Sequence, residues 1–185
     1  NLARNAIEAM TLDAPRPPGE ALALLLLGLI CLLLLTAGNC AAENPRVAII
    51  LDDIGYKAYY SEIFALPAKV TIAVFPGSPK TKEIMKKAKA KGFEVIGHIP
   101  METLGGEGKY GINTQMSADK ISKKLSGYID SLPGIKGINN HMGSKVSIDR
   151  RTLIPIMQEL KKRKMYIVDS RTNEKSLIPE VAKEY

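Results

Sequence analysis

Beyond residue 42 the sequence contains no cysteine, its only two being Cys31 and Cys40. A disulfide framework and a thiolate zinc site are therefore excluded from that part. Histidine is nearly as scarce, with two residues in 185. Any metal here must be held by His, Asp, Glu or water. There is no glycine fingerprint for dinucleotides, no phosphate-cradling loop and no internal repeat. Aromatic residues make up 5% and do not interleave with the basic ones, which argues against a nucleic-acid platform. With 45% hydrophobic and 24% charged residues, wholesale disorder and a collagen-like chain are excluded as well.

What is present begins with an uncharged stretch from Ala21 to Ala42, leucine-rich through Leu35. It reads as a signal-peptide core or a single membrane anchor, since an all-round apolar helix suits lipid better than a small domain. The small residues Thr36–Ala42 offer a cleavage site after Ala42. Cys40 invites a lipoprotein reading, which Asn39 before it disfavours. The chain starts at Asn1, with Met10 as an alternative start, and reads as an incomplete frame at this end. Three parts are expected: a flank over 1–20, the signal or anchor over 21–42, and one α/β domain over 43–185. That domain is expected outside the cytoplasm, tethered or released, with membrane contact through the N-terminal segment alone. The net charge is +7; residues 1–42 set two arginines against three acids, leaving +8 for the rest. A basic balance of this size suits anionic surroundings, an acidic wall polymer among them. The Lys-rich helices themselves read as solvated faces.

Short apolar runs recur at 46–51, 69–75, 93–97, 135–138 and 165–168, as expected of strands buried on both faces. Helical patterns lie between them. Ser117 caps one whose apolar stripe is Ile121, Leu125, Tyr128, Ile129 and Leu132, ended by Pro133-Gly134. Another carries Leu153, Ile154, Met157 and Leu160, with Thr152 as its cap and Pro155 in its first turn. Residues 80–91 and, more weakly, 57–65 make two more. This alternation predicts an α/β fold, an incomplete (β/α) barrel with mainly parallel strands. The sequence stops at Tyr185 inside what reads as a further helix from Leu177, so C-terminal strands are expected to be missing.

Parallel α/β folds bind ligands at the carboxyl ends of their strands. There stand Asp52 and Asp53, His98, His141 and Asp169, so both histidines of the chain occupy such ends. Two imidazoles and a carboxylate are a common ligand set for zinc and similar divalent ions. A second carboxylate beside them, held off the metal, can take a proton from water. Each residue also has a plainer reading. Asp52-Asp53 and Asp169-Ser170 suit turns and helix caps, and either histidine alone suits a satisfied structural role. Glu102, four after His98, reads equally as a further ligand or as a loop carboxylate in solvent.

At these residues the chain resembles the divergent polysaccharide deacetylase family, distant relatives of the polysaccharide deacetylases of carbohydrate esterase family four. The stretches that carry the resemblance are Ile50-Leu51-Asp52-Asp53-Ile54-Gly55-Tyr56, Val70–Pro79 and Gly97-His98-Ile99-Pro100-Met101-Glu102. Gly137–Ser144, with its Asn-Asn-His-Met-Gly-Ser string, and Val168-Asp169-Ser170-Arg171-Thr172 complete them. The resemblance implies an incomplete barrel, a secreted or envelope-anchored protein, and metal-dependent removal of N- or O-acetyl groups from glycans. It makes Asp52 the general base, Asp53 a metal ligand and His98 the first histidine of an H-x-x-x-H motif. Glu102 stands where the second histidine belongs, so His141 is expected to complete the site. The late histidine acid of the wider superfamily has no counterpart, since no histidine follows His141.

The expected mechanism is hydrolysis assisted by a divalent ion, zinc foremost, held by Asp53, His98 and His141. Asp52 takes the proton, and Asp169 orients a ligand or serves the leaving group. Asn140, Ser144 and Glu102 are expected at the substrate, an acetylated polysaccharide or peptidoglycan-like glycan. Two rivals remain at this stage. One is a non-catalytic glycan-binding module on a degenerate deacetylase fold. The other is a metal-free glycosidase using Asp52 and Asp169, indifferent to chelators.

Overall fold

A computed structural model describes residues 47–55 and 61–185. The expected anchor at 21–42 and residues 57–60 of the weak helix at 57–65 lie outside the described residues. The part of that helix that is described, Ser61–Ala65, forms a 3-10 turn. Five strands alternate with helices: β1 (Ile50–Ile54), β2 (Thr71–Val74), α1 (Thr81–Lys91), β3 (Val95–Met101), α2 (Ala118–Asp130), β4 (Gly137–Met142), α3 (Arg150–Arg163), β5 (Tyr166–Val168) and α4 (Ile178–Ala182). Among the described residues, no helix is long and apolar enough to cross a membrane.

All four strand pairings are parallel, and the order in space is the order in sequence, β1-β2-β3-β4-β5. A doubly wound sheet reverses its order at a switch point; this one never does. Right-handed crossovers in constant direction put every connecting helix on one face. That is the wall of a barrel, with helices outside and a separate inner face.

Alternation along β3 and β4 assigns residues to the two faces. Gly97, Ile99 and Met101 align in register with Ile138, Asn140 and Met142, while His98 aligns with Asn139 and Pro100 with His141. The first set faces the helices: a Cβ added at Gly97 would meet Leu132 and Ile135 at 3.3 Å. The second set lines the inner face. Both strands are thus buried throughout, apart from Met142 at the end of β4. The outer layer is sealed by Ile84 and Ala88 of α1, Ile121, Leu125 and Ile129 of α2, and Leu153, Ile156 and Leu160 of α3. Leu125 is fully buried there. Leu125→Ala is expected to cost about 2–5 kcal/mol, read as a lower denaturant midpoint with unchanged slope.

Three of the strands end later than the sequence expectation. β1, β3 and β4 run three or four residues further, so Asp52, Asp53, His98 and His141 lie inside strands rather than after them. An inner face that carries polar side chains interrupts the apolar run while the ladder continues. α2 follows its pattern, with the Ser117 hydroxyl accepting from the Lys120 amide, but it ends at Asp130, before Pro133. α3 starts at Arg150 with Asp149, not Thr152, at its cap position. The Thr152 hydroxyl donates to the Asp149 carboxylate instead. Pro155 is therefore past the first turn and offers no amide to the Arg151 carbonyl.

Candidate metal centre

Adjacent residues of a regular strand point to opposite faces, so Asp52 and Asp53 should not reach one site. β1 is not regular there. Leu51 pairs with Ile72 and Ile54 with Val74, leaving one extra residue in β1, and Asp53 has a left-handed backbone with φ 60°. This bulge swings Asp53 back to the inner face beside Asp52. Aspartate tolerates such a backbone better than most residues. Two other non-glycine residues with positive φ, Met142 and Arg171, also lie at or just after strand ends. Strain of this kind concentrates at functional sites.

Three atoms meet in front of the bulge. Asp53 Oδ1 is 3.0 Å from His98 Nε2 and 2.8 Å from His141 Nδ1, and the two nitrogens are 3.1 Å apart. Both imidazoles are buried, whereas the Asp53 side chain is 57% exposed. The cluster therefore opens to solvent on its carboxylate side. The rings of His98 and His141 stand edge to face at 4.9 Å, and Phe75 packs edge-on against His141 at 5.3 Å. Burial, and secondarily the charge of His98, push the His141 imidazole below its ordinary value, overcoming the pull of Asp53 and Asp52. A neutral imidazole keeps a lone pair, which is what a metal needs.

Behind this cluster lies a residue the sequence reading passed over. Asn139 Oδ1 is 2.8 Å from His98 Nδ1, and Asn139 Nδ2 donates to Asp52 Oδ1 at 2.9 Å and to the Ser170 hydroxyl at 3.3 Å. A signal was available: residue 139 shares a strand face with His141 two positions on.

The donor set passes a simple test of fit. Ligands about 2.0–2.2 Å from a tetrahedral zinc stand roughly 3.4 Å from one another, a few tenths of an ångström more than the separations here. Asp53, His98 and His141 form the group that can hold a metal ion among the described residues.

The other expected site residues fall elsewhere. Asp169 follows β5, and its Oδ1 accepts from the Arg171 amide at 2.9 Å, the turn-capping role open to it from sequence. Its Oδ2 is buried without a hydrogen-bond partner. Asn140 points to the other face and is fully engaged. It donates to the Met142 carbonyl at 2.7 Å and the Thr172 hydroxyl at 3.3 Å, and accepts from the Ser170 amide at 2.9 Å. It ties β4 to the loop after β5 and presents nothing to a substrate. Ser144 is half-buried, its hydroxyl accepting from the Leu104 amide at 3.1 Å. Glu102 is not a solvated loop carboxylate, being 1% exposed. It accepts from the Thr114 amide and hydroxyl and from Lys145 Nζ, so it braces loops rather than facing ligand. Its distant partners, 12 and 43 residues along the chain, left no local trace.

The sequence profile described as divergent polysaccharide deacetylase matches residues 49–185. The chain is 35% identical over 130 residues to the uncharacterized protein YibQ of Escherichia coli (strain K12), spanning 69% of this chain and 41% of that protein. It is 30% identical over 146 residues to an uncharacterized protein of Haemophilus influenzae, spanning 76% of this chain and 51% of the other. The chain thus spans about half the length of the relatives it matches. Among solved structures, the uncharacterized protein ATU2773 from Agrobacterium tumefaciens C58 superposes with a TM-score of 0.66 at 23% identity, over 75% of this chain and 59% of that one. The lactam utilization protein from Thermus thermophilus gives 0.57 at 19%, over 76% and 63%. Both share the fold.

Proposed function

The chain belongs to the divergent polysaccharide deacetylase family, and on that footing we propose that it is a metal-dependent hydrolase removing acetyl groups from a glycan outside the cytoplasm. The convergence of Asp53 Oδ1, His98 Nε2 and His141 Nδ1 within hydrogen-bond distance of one another carries this reading. These residues would hold a divalent ion, zinc by their chemistry. Such an ion supplies Lewis acidity toward a water and an acetyl carbonyl.

The chain's own groups do the rest. Asp52, whose side chain is 43% exposed, stands beside the centre without entering it and takes the proton of the attacking water. It then holds that proton for the departing amine or hydroxyl. Phe75 and the buried imidazoles keep bulk water from the inner side, so substrate arrives past Asp53. The net charge of +7 favours an acidic, peptidoglycan-like polymer as the acetylated substrate, with residues 21–42 as the tie to the membrane.

Incubating the zinc-loaded chain with acetylated peptidoglycan and chitin oligosaccharides, and assaying free acetate, tests the proposal. Release that stops on adding a chelator and returns with zinc is the expected result. Release indifferent to chelator would sink it. Glu102, which braces loops at the position where the resemblance expects a second histidine, favours one rival, a glycan-binding module. That rival predicts polymer retained by the immobilised chain with no acetate set free.

A further inference from the structure

We propose that Asn139 is the positioning residue of this centre: its amide, oriented by Asp52, holds His98 in the Nδ1–H form and so leaves Nε2 bare for an ion. The inference rests on the reading of Asp53, His98 and His141 as ligands, but its core concerns a single proton and stands without a metal.

One group here has a fixed role. An ionised carboxylate only accepts hydrogen bonds. Asp52 Oδ1, 2.9 Å from the Asn139 amide, therefore requires the Nδ2 end of that amide, which turns Oδ1 toward His98. At 2.8 Å from that oxygen, His98 Nδ1 must be the donor. A neutral imidazole carries one proton, so Nε2 is left with its lone pair facing Asp53 and His141.

The alternative is real and has its own partner. Asp53 Oδ1 lies 3.0 Å from Nε2 and would equally accept a proton placed there. Two acceptors, Asn139 Oδ1 and Asp53 Oδ1, thus compete for the same proton from opposite sides of the ring. If Asp53 won, the ligand atom of His98 would be blocked by hydrogen. Asn139 prevents this only while its amide cannot flip, and Asp52 prevents the flip. The pairing is built into the sheet: His98 and Asn139 are register partners on β3 and β4, and Asn139 is 2% exposed.

The chain's two histidines make the test clean, because nitrogen-15 NMR of selectively labelled imidazoles gives two sets of signals. The full chain is stripped of metal and measured above the imidazole titration range. Wild type is expected to show His98 protonated on Nδ1. Asn139→Leu, which offers no acceptor, should move the proton to Nε2 and weaken zinc binding roughly 10–100-fold, the usual effect of losing an outer partner of a ligand. Asn139→Asp, whose carboxyl would share one proton with Asp52 and still turn an acceptor oxygen toward His98, should restore the Nδ1–H form. Asp52→Asn alters an exposed side chain 3.9 Å from His98 Nδ1 and should yield a mixture of both forms, since the amide at 139 is then free to turn. Nε2–H as the main form in wild type or in Asn139→Asp overturns the proposal, as does an unshifted Asp52→Asn. These last arms decide the matter even if the leucine variant fails to fold. A wild type with the expected proton that binds no zinc would instead remove the hydrolase reading and leave the relay standing.

Discussion

Replacing His141 with alanine is expected to abolish zinc binding by the full chain, measured by elemental analysis after dialysis against a zinc buffer. Removing an outer partner of a ligand costs 10–100-fold in affinity, and removing a ligand outright should exceed that. The three converging atoms include only one charge, on Asp53, so two remaining donors cannot close a site. His98→Ala is expected to do the same from the other side. The variants should remain folded, because each imidazole faces the inner surface and not the layer sealed by α1, α2 and α3. Zinc retained near one equivalent by either folded variant would show that the ligands were misassigned. Acetate release should fall with the metal and in the same proportion.

Glu102→Ala should cost stability without touching the metal centre. The side chain closes a knot in which the Thr114 amide, the Thr114 hydroxyl and Lys145 Nζ all donate to it within 3.0 Å. Its backbone adds to the knot, donating to the Ile112 carbonyl at 2.9 Å and accepting from the Lys145 amide at 3.2 Å. Alanine leaves an amide and a hydroxyl without their acceptor, while Lys145, 36% exposed, can turn to water. The loss should therefore sit near 2–3 kcal/mol, below the figure for a sealed ion pair. For a domain of this size that is a fall of roughly 6–12 °C in Tm. Burial alone would raise the Glu102 carboxyl, but the Thr114 amide, Lys145 and the Thr114 hydroxyl outweigh it and hold the group below its ordinary value of 4.5. A carboxyl lowered on folding contributes stability that is fully present above about 4.5 and is lost as pH falls through the folded value. Glu102→Gln should remove that acid-side slope from the Tm profile. An unchanged slope would mean that the knot is not what acid breaks.

Strand–helix alternation made the fold legible, since period and length are local properties. The convergence of Asp53, His98 and His141 was legible for a related reason: both histidines and the paired aspartates stand at strand ends that parallel topology gathers. Strand limits were misread because His98 and His141 interrupt apolar runs while remaining in the ladder. Pro155 misled in a similar way, its position past the first turn of α3 depending on where the chain enters the helix. Asn140 and Glu102 could not be placed from sequence, because their engagement depends on partners brought by other loops. Asn139 is the intermediate case, signalled by its spacing from His141 yet given meaning only by the strand beside it.

The bulge in β1 sets the mechanical character of the centre. His98 and His141 hang from neighbouring, hydrogen-bonded strands and behave as a fixed jaw. Asp53 sits on an irregular turn of backbone at the solvent edge and would be the compliant one. A clamp with one yielding arm would admit ions of somewhat different radius without disturbing the sheet. It would also load and unload from the side of Asp53, the exposed member, so exchange of an ion should be governed by the motion of Asp53 rather than by opening of the barrel.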